Sequence, residues 1–354
     1  MTLVKQWEAS FADGLYHAFS PSGHALVLQS LHQELFMETF EVRFADDREP
    51  LLINNESPIT PLAWASDEEL VYRVWGEPLG KKSAPWLWVL AVASGESRPL
   101  IEASDTMSVI YSGRTGHLSV LSEPQGRSGL FDLDVITGTL RRLPVFDPAL
   151  ERLEIYPLFG HAFCDSHQEA AVVAWPLGDY LPEGIEPTTS NSQWSSVLNH
   201  PVIQNYVEVL PDGTTITQRE LTREAKRKTP PRLFVLDASG GFQEVPNSHK
   251  AHRPLWSPDS TTLSFERSDH FDPRSHPGSC GSVMLVRRDD LTLMRLGGCG
   301  VNTSTIMHPA DVLFCQLEDE SIPATADCGL ARSRSSRWKG FDLRGGDVTP
   351  TNQR

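Results

Sequence analysis

The sequence predicts an all-β fold built from seven antiparallel sheets of four short strands each. Three observations predict it: a tight turn that recurs about every 48 residues, strands of period-two alternation on both sides of each turn, and a strand–turn–strand segment downstream of most turns. No stretch of about 12 residues or more carries the 3.6-residue periodicity of an amphipathic helix.

The clearest turn is Ser257-Pro258-Asp259-Ser260, which follows Trp256 and precedes the alternating strand Thr261–Glu266. Proline fixes φ and aspartate hydrogen-bonds its own backbone, so both residue types favour a turn. Similar turns begin at seven residues, which we name the turn anchors: Phe19, Trp64, Tyr111, Phe163, Val209, Trp256 and Met307.

A strand, a small polar turn and a closing strand follow most of the anchors. These segments begin at Trp86, Gly129, Arg232, Ser282 and Phe341. Glycines that suit the positive φ of hairpin turns occupy four of the turns, at Gly95, Gly138, Gly241 and Gly346. Each unit therefore holds four strands, and four-stranded units of this length are typical of the blades of a β-propeller.

The fourth unit departs from the pattern. Its segment 178–201 is rich in Pro, Ser, Asn and Thr and is expected to form a long irregular excursion at the surface. An alternative count merges the fourth and fifth units and gives six blades with a large insertion. Residues 1–354 are expected to form one propeller domain, with Leu3–Phe11 as a candidate strand that closes the last blade and removes a sheet edge.

Composition and charge narrow the classes of function. The formal net charge is −15. This argues against nucleic acid or an anionic membrane as the main partner, since both are negatively charged and attract positively charged proteins. The longest apolar run, Trp86–Ala93, is far shorter than the roughly 20 residues of a membrane helix. The first residues lack the pattern of a secretory signal, and five cysteines without a CxxC pair favour reduced thiols in the cytoplasm.

The turn at Trp256–Ser260 with the following TLSFE resembles the repeat of TolB-like propellers, which also builds the propeller of prolyl-oligopeptidase and dipeptidyl-peptidase relatives. The downstream LFVLDASGGFQEV resembles the outer strands of that repeat. The resemblance covers Leu15–Pro350 and implies the propeller fold. It also implies a role in binding other macromolecules or in gating a catalytic domain.

The chain departs from both groups of relatives. TolB-like proteins carry a signal peptide and a separate amino-terminal domain, and the peptidases need a hydrolase domain for which the repeats leave no room. A GxSxG nucleophile elbow is missing from the sequence. The nearest string, GRSGL at 126–130, has its second glycine in the wrong place and is expected to be a hairpin loop.

Three histidines are candidates for the mouth of the central channel: His17, His161 and His252. His17 and His161 each precede an anchor by two residues, so they are expected to face each other across the ring, where neutral imidazoles could bind a ligand or a metal. The matching positions of the other units supply no third ligand. Histidines satisfied by hydrogen bonds are therefore the favoured interpretation, and no metal or cofactor is predicted.

The aspartates of three turns, Asp67, Asp212 and Asp259, either form a ring of carboxylates on one rim or cap their own turns, and the second interpretation is favoured. Interface candidates flank or follow the excursion: Trp175, Trp194, Arg223, Lys226, Arg227 and Lys228. The tryptophans either anchor a partner or fill space beneath the loop. The basic residues either form a solvated loop or dock an acidic protein. Nucleic-acid binding is disfavoured, because interleaved aromatic residues for base stacking are missing.

The sequence therefore predicts a non-enzymatic cytoplasmic propeller that serves as a protein–protein interaction platform, through its turns and its excursion. Expected partners are proteins, including a peptide or a separately encoded hydrolase, and not nucleic acid or a membrane. Two alternatives stay open: a propeller lyase or hydrolase with its site at the channel mouth, and the gating propeller of a separately encoded peptidase.

Overall fold

The computed structural model describes residues 15–29, 39–46, 48–75, 85–103, 107–122, 128–155, 160–180, 203–209, 215–268, 281–299, 305–308, 312–317, 337–343 and 349–350. Within these ranges five sheets have four antiparallel strands each. Blade 1 contains β1 (Leu15–Phe19), β2 (Ala25–Gln29), β3 (Thr39–Phe44) and β4 (Leu51–Asn54). Blade 2 contains β5 (Ile59–Trp64), β6 (Glu69–Val74), β7 (Trp86–Ala91) and β8 (Glu96–Glu102). Blade 3 contains β9 (Ser108–Tyr111), β10 (His117–Ser122), β11 (Gly129–Asp134) and β12 (Thr139–Arg142).

The middle of the chain forms a five-stranded sheet and a separate pair of strands. The sheet contains β13 (Leu153–Ile155), β14 (His161–Cys164), β15 (Glu169–Pro176), β18 (Arg232–Leu236) and β19 (Phe242–Glu244), and the pair consists of β16 (Ile203–Val209) and β17 (Thr215–Leu221). Strands β13 and β14 lie end to end along one edge of the long β15, and β18 pairs with its other edge.

Blades 4 and 5 follow from the last third of the chain. Blade 4 contains β20 (Ala251–Trp256), β21 (Thr262–Ser268), β22 (Gly281–Arg287) and β23 (Leu293–Cys299), and blade 5 contains β24 (Thr305–His308), β25 (Val312–Leu317), β26 (Arg337–Asp342) and β27 (Thr349–Pro350). The predicted closing hairpin is present, because Phe341 pairs with Pro350. The candidate closing strand Leu3–Phe11 lies outside the described residues.

The predicted number of blades is wrong. The described residues form five blades of four strands, not seven, and not six with an insertion. The fourth and fifth sequence units do not form two blades, because β18 returns to pair with β15 of the fourth unit. The anchor Val209 ends β16, whose partner β17 pairs with no other described strand, and the resulting sheet has five strands rather than the four of a blade.

The sheets form a closed ring with their first strands innermost. Strand β1 contacts β5 and β24, β9 contacts β5 and β14, and β14 contacts β20, so the five-stranded sheet lies between blades 3 and 4. The second strands are buried on both faces, as in Ala25–Gln29, because each is covered by the sheets on either side. This burial explains why the second strands have continuous apolar sequences. Outer strands such as β8 are largely exposed.

Helix is rare in the described residues. Short 3-10 turns occur at Pro144–Phe146 and Leu177–Tyr180, and two short helices, α1 (Asp147–Leu150) and α2 (Arg223–Lys228), lie before β13 and before β18. None of these segments has the length and apolar character needed to cross a membrane.

Hydrogen bonds between neighbouring turns hold one end of the ring together. Ser22 donates its backbone N–H and its hydroxyl to Asp67 Oδ1 at 2.8 and 2.7 Å, which joins the first turns of blades 1 and 2. The Ser166 hydroxyl donates to Ser260 Oγ at 3.0 Å, which joins the five-stranded sheet to blade 4. The turns that the sequence places after each anchor are therefore linked across sheets.

A glycine in the β11–β12 turn provides a test of the hairpin geometry. Gly138 has φ +71°, and a Cβ at this position would lie 3.1 Å from the Leu100 carbonyl oxygen. We expect Gly138→Ala to lower the free energy of unfolding by about 1–2 kcal/mol, because an L-residue is strained in the left-handed region. Urea unfolding measures the change.

Gly178 provides the matched control for this substitution. A Cβ there would meet nothing within 4 Å, and its φ is not in the left-handed region, so Gly178→Ala is expected to be neutral or slightly stabilising. Equal losses in both variants would contradict the assigned turn. In the turn after β18 the positive φ falls on Gly240 rather than on the predicted Gly241, and Gly346 lies outside the described residues.

Candidate functional site

A cavity of about 500 Å³ occupies the end of the ring where the innermost strands finish. We name it the mouth. It is lined by the turn anchor of every sheet in the ring: Phe19, Trp64, Tyr111, Phe163, Trp256 and Met307. Each anchor lies at or next to the last residue of its first strand, so the repeat itself brings aromatic side chains to the same end of the molecule.

The anchors differ in how much they contribute to packing. Trp64 is 1% exposed and its indole N–H donates to the Ala18 carbonyl oxygen at 3.0 Å, so it joins blade 2 to blade 1. Tyr111, Phe163 and Trp256 are partly exposed. The indole N–H of Trp256 is buried and has no hydrogen-bond acceptor among the described residues.

One side of the mouth is acidic. Asp67 and Asp165 belong to the turns on either side of the Tyr111 turn, and Asp165 also lines the cavity. Burial raises the pKa of the Tyr111 hydroxyl, a hydrogen bond with Thr115 opposes this, and the negative charges of Asp67 and Asp165 raise the pKa further. Both carboxylates therefore act on the tyrosine through space.

His161 lies in the wall of the mouth but is fully enclosed by protein. Its Nε2 lies 3.1 Å from Ser119 Oγ and its Nδ1 lies 3.0 Å from Ser108 Oγ, so both ring nitrogens are bonded to blade 3. Burial lowers the pKa of His161 from 6.5 to about 3, and a hydrogen bond with the Ser119 backbone opposes this only in part. His161 is therefore neutral and joins two sheets.

The other two histidine candidates lie elsewhere. His252 is 3% exposed, and its Nε2 is 3.1 Å from Glu266 Oε2, a carboxylate of the adjacent strand that is 1% exposed. It does not line the mouth. His17 is in β1, and its side chain lies outside the described residues. Among the described residues, no group of three or more His, Cys, Asp or Glu side chains could hold a metal ion.

The turn aspartates have different local roles. Asp259 accepts hydrogen bonds from the Ser257 hydroxyl at 2.6 Å and from the Thr261 backbone N–H at 3.0 Å, so it caps its own turn. Asp67 instead accepts from Ser22 of the neighbouring blade. Asp212 lies outside the described residues.

The interface candidates around the excursion take part in internal contacts where they are described. Trp175 is 2% exposed, lies in a hydrophobic core and donates its indole N–H to the Thr229 carbonyl oxygen at 2.6 Å. Lys226 pairs with Glu154, and Lys228 pairs with Glu224 at 2.7 Å on the exposed face of α2. Trp194 and the side chains of Arg223 and Arg227 lie outside the described residues.

The mouth and the start of the excursion lie at opposite ends of the five-stranded sheet. Strand β14 ends at the mouth, where Cys164 lines the cavity, and β15 runs antiparallel to it. Leu177–Tyr180 follows β15 and therefore begins at the far end. The turns of the mouth are therefore separated from the start of the excursion, whereas turns and excursion were expected to form one interaction surface.

The recurring turns identified the anchors, but not that the anchors of successive sheets share one cavity. The signal was present, since an aromatic residue begins five of the seven turns at nearly regular spacing. Equivalent residues of a closed ring necessarily face the same end of its axis.

Comparison with solved structures finds other propellers. The chain is similar to TolB from Acinetobacter baumannii, with 12% identity, 98% of this chain and 67% of that chain covered, and a TM-score of 0.45. It is also similar to the β-propeller domain of the Trilobed protease from Pyrococcus furiosus, with 10% identity, coverage of 97% and 84%, and a TM-score of 0.46. It is similar to a prolyl endopeptidase with 12% identity, 97% of this chain and 41% of that chain covered, and a TM-score of 0.47.

The predicted resemblance to TolB-like propellers is confirmed at the level of the fold. No family model and no curated protein matches the chain.

Proposed function

We propose that this propeller is a protein-binding module whose partner inserts a segment of its chain into the mouth. The observation that carries the proposal is the convergence of six turn anchors, five of them aromatic, on one cavity. Its volume lies within the range of about 300–1,000 Å³ that is common for ligand pockets. Aromatic side chains provide large contact areas at low cost in conformational entropy, which suits recognition.

The polar groups of the wall support a peptide as the occupant. The partly exposed ring of Trp256 lines the mouth and offers an aromatic surface for the side chains of the inserted segment. Ser20, Ser166 and Ser260 also line the opening, and Ser166 is exposed. A wall of this kind binds an extended chain through both its side chains and its backbone.

The alternative of an enzyme at the channel mouth receives less support from the same residues. Among the described residues the histidine in the wall is His161, and both its ring nitrogens lie within hydrogen-bonding distance of serine hydroxyls of blade 3. A general base must reach the proton that it abstracts, and His161 has neither ring nitrogen free for a ligand. The cytoplasmic location stays a prediction from the cysteine pattern.

A peptide-display selection tests the proposal. Random linear peptides are selected on the wild-type protein, and the enriched peptides are titrated against Pro258→Trp, which narrows the mouth at an exposed turn residue that lines it. We expect the dissociation constants to rise about tenfold or more, because the indole occupies space needed by the peptide.

Ile136→Trp is the matched control, since Ile136 is 76% exposed in the β11–β12 turn and is not part of the mouth. Its dissociation constants are expected to equal those of the wild type. Failure to enrich any peptide, or equal binding to all three proteins, would contradict the proposed function.

A further inference from the structure

Asp67 and Asp165 place negative charge on one side of the mouth, and His24 is a basic group close to Asp67. Among the described residues that line the mouth, Asp165 is charged and no lysine or arginine is present. The two carboxylates accept hydrogen bonds from neutral donors: Gln168 Nε2 lies 3.0 Å from Asp165 Oδ1, and Ser22 donates to Asp67. Neutral donors orient a carboxylate but leave its charge uncompensated.

The arginines near this side are already paired with other carboxylates. Arg114, in the Tyr111 turn, has its Nη2 2.8 Å from Asp132 Oδ2. Arg288 binds Glu169 with two hydrogen bonds, at 2.6 and 2.9 Å. The positive charges of the described neighbourhood are therefore directed to β11 and β15 rather than to the rim.

Tyr111 and Asp165 both line the mouth, and Asp67 belongs to the turn on the other side of the Tyr111 turn. Tyr111 ends β9 and lines the mouth between the two aspartate-bearing turns. A Cβ at Gly113 would lie 3.3 Å from the Cβ of Asp165, so the glycine allows the neighbouring turn to approach closely. An aromatic face beside carboxylates is the combination that binds ammonium and guanidinium groups.

We propose that Tyr111, Asp67 and Asp165 form a subsite for a cationic group, and that the segment inserted into the mouth carries a lysine or arginine at this point. The inference rests on the proposed function and specifies the chemistry of the partner. A side chain on a longer segment is favoured over a free amine, because the cavity continues from Tyr111 past the anchors of the other sheets.

An array of short synthetic peptides tests the subsite. The peptides are acetylated and amidated, so their only cations are side chains, and one central position is lysine, arginine, norleucine or glutamate within mixed flanking residues. We expect the wild-type protein to bind the lysine and arginine sets about tenfold more strongly than the norleucine set at low salt. The preference is expected to weaken at high salt.

Asp165→Asn removes the charge and keeps an oxygen that can accept from Gln168, so it is expected to abolish most of the preference. Asp237→Asn is the control, since Asp237 is an exposed carboxylate of the β18–β19 turn that also binds its own turn. It is expected to keep the full preference.

The outcomes separate the two proposals. Binding by the wild type without preference over norleucine, or a preference that survives Asp165→Asn, overturns the cation subsite and leaves the mouth as a binding site. No binding of any peptide set overturns the proposed function as well. Competition with cadaverine distinguishes the sources: displacement at the concentration at which the lysine set binds would assign the subsite to a free diamine and overturn the inserted side chain.

Discussion

Replacing Lys226 by methionine is expected to lower the free energy of unfolding by about 3 kcal/mol, because it removes a cation that pairs with the buried Glu154 carboxylate. The side chains of Lys226 and Glu154 are 14% and 9% exposed, and the pair joins α2 to β13. Glu154 also accepts the Leu221 backbone N–H at 2.5 Å. This one carboxylate therefore holds the end of β17 and the following helix against the five-stranded sheet.

Lys228→Met on the same helix is the matched control. Lys228 pairs with Glu224, and both side chains are more than 70% exposed, so only a small change is expected. Urea unfolding of both variants, and of Glu154→Gln alone and combined with Lys226→Met, measures the coupling. A loss for Lys226→Met no larger than for Lys228→Met, or a double variant whose loss is the sum of the two singles, would contradict a stabilising buried pair.

Local sequence patterns predicted the strands and turns well. Six of the seven anchors lie at or next to the last residue of an innermost strand, and the segments that begin at Trp86, Gly129 and Ser282 contain the third strands of their blades. Proline, glycine and aspartate fix turn geometry through the backbone of the few residues involved, so no distant partner is needed to predict such turns.

The number of blades could not be predicted from the same patterns, because strand pairing is decided by distant residues. Val209 and the turn after it satisfy the local pattern as well as the other anchors do. The local pattern does not specify which strand pairs with β18. In the structure β18 pairs with β15 and not with β17. Strands β15 and β18 are separated by more than fifty residues. The indole N–H of Trp175, near the end of β15, donates to the carbonyl oxygen of Thr229, shortly before β18.

His161 and Asp67 were singled out from the sequence, whereas Asp165 and the arrangement of the candidate site were not. His161 lies in β14, and its partners Ser108 and Ser119 come from another sheet, 53 and 42 positions away. The effect of Asp67 and Asp165 on Tyr111 likewise depends on three different sheets. Such contacts follow from the closure of the ring, which a repeat period does not specify.

The buried neutral state of His161 has a measurable consequence for stability. In the unfolded chain the imidazole takes up a proton below its ordinary pKa of 6.5, whereas the folded protein holds the pKa at about 3. The unfolded state therefore binds more protons between these values, and stability falls as the pH is lowered from 6.5 towards 3. Between pH 7.5 and pH 4 we expect this one residue to remove about 3 kcal/mol from the free energy of unfolding.

His161→Gln provides the comparison, because glutamine can hydrogen-bond to serine hydroxyls and does not titrate. Urea unfolding of both proteins at pH 7.5 and pH 4 separates this contribution from that of all other groups. The variant is expected to be less stable at pH 7.5 and to lose less stability on acidification than the wild type. Parallel losses in the two proteins would mean that His161 takes up its proton in the folded state, and its role as a neutral link between blade 3 and the five-stranded sheet would be wrong.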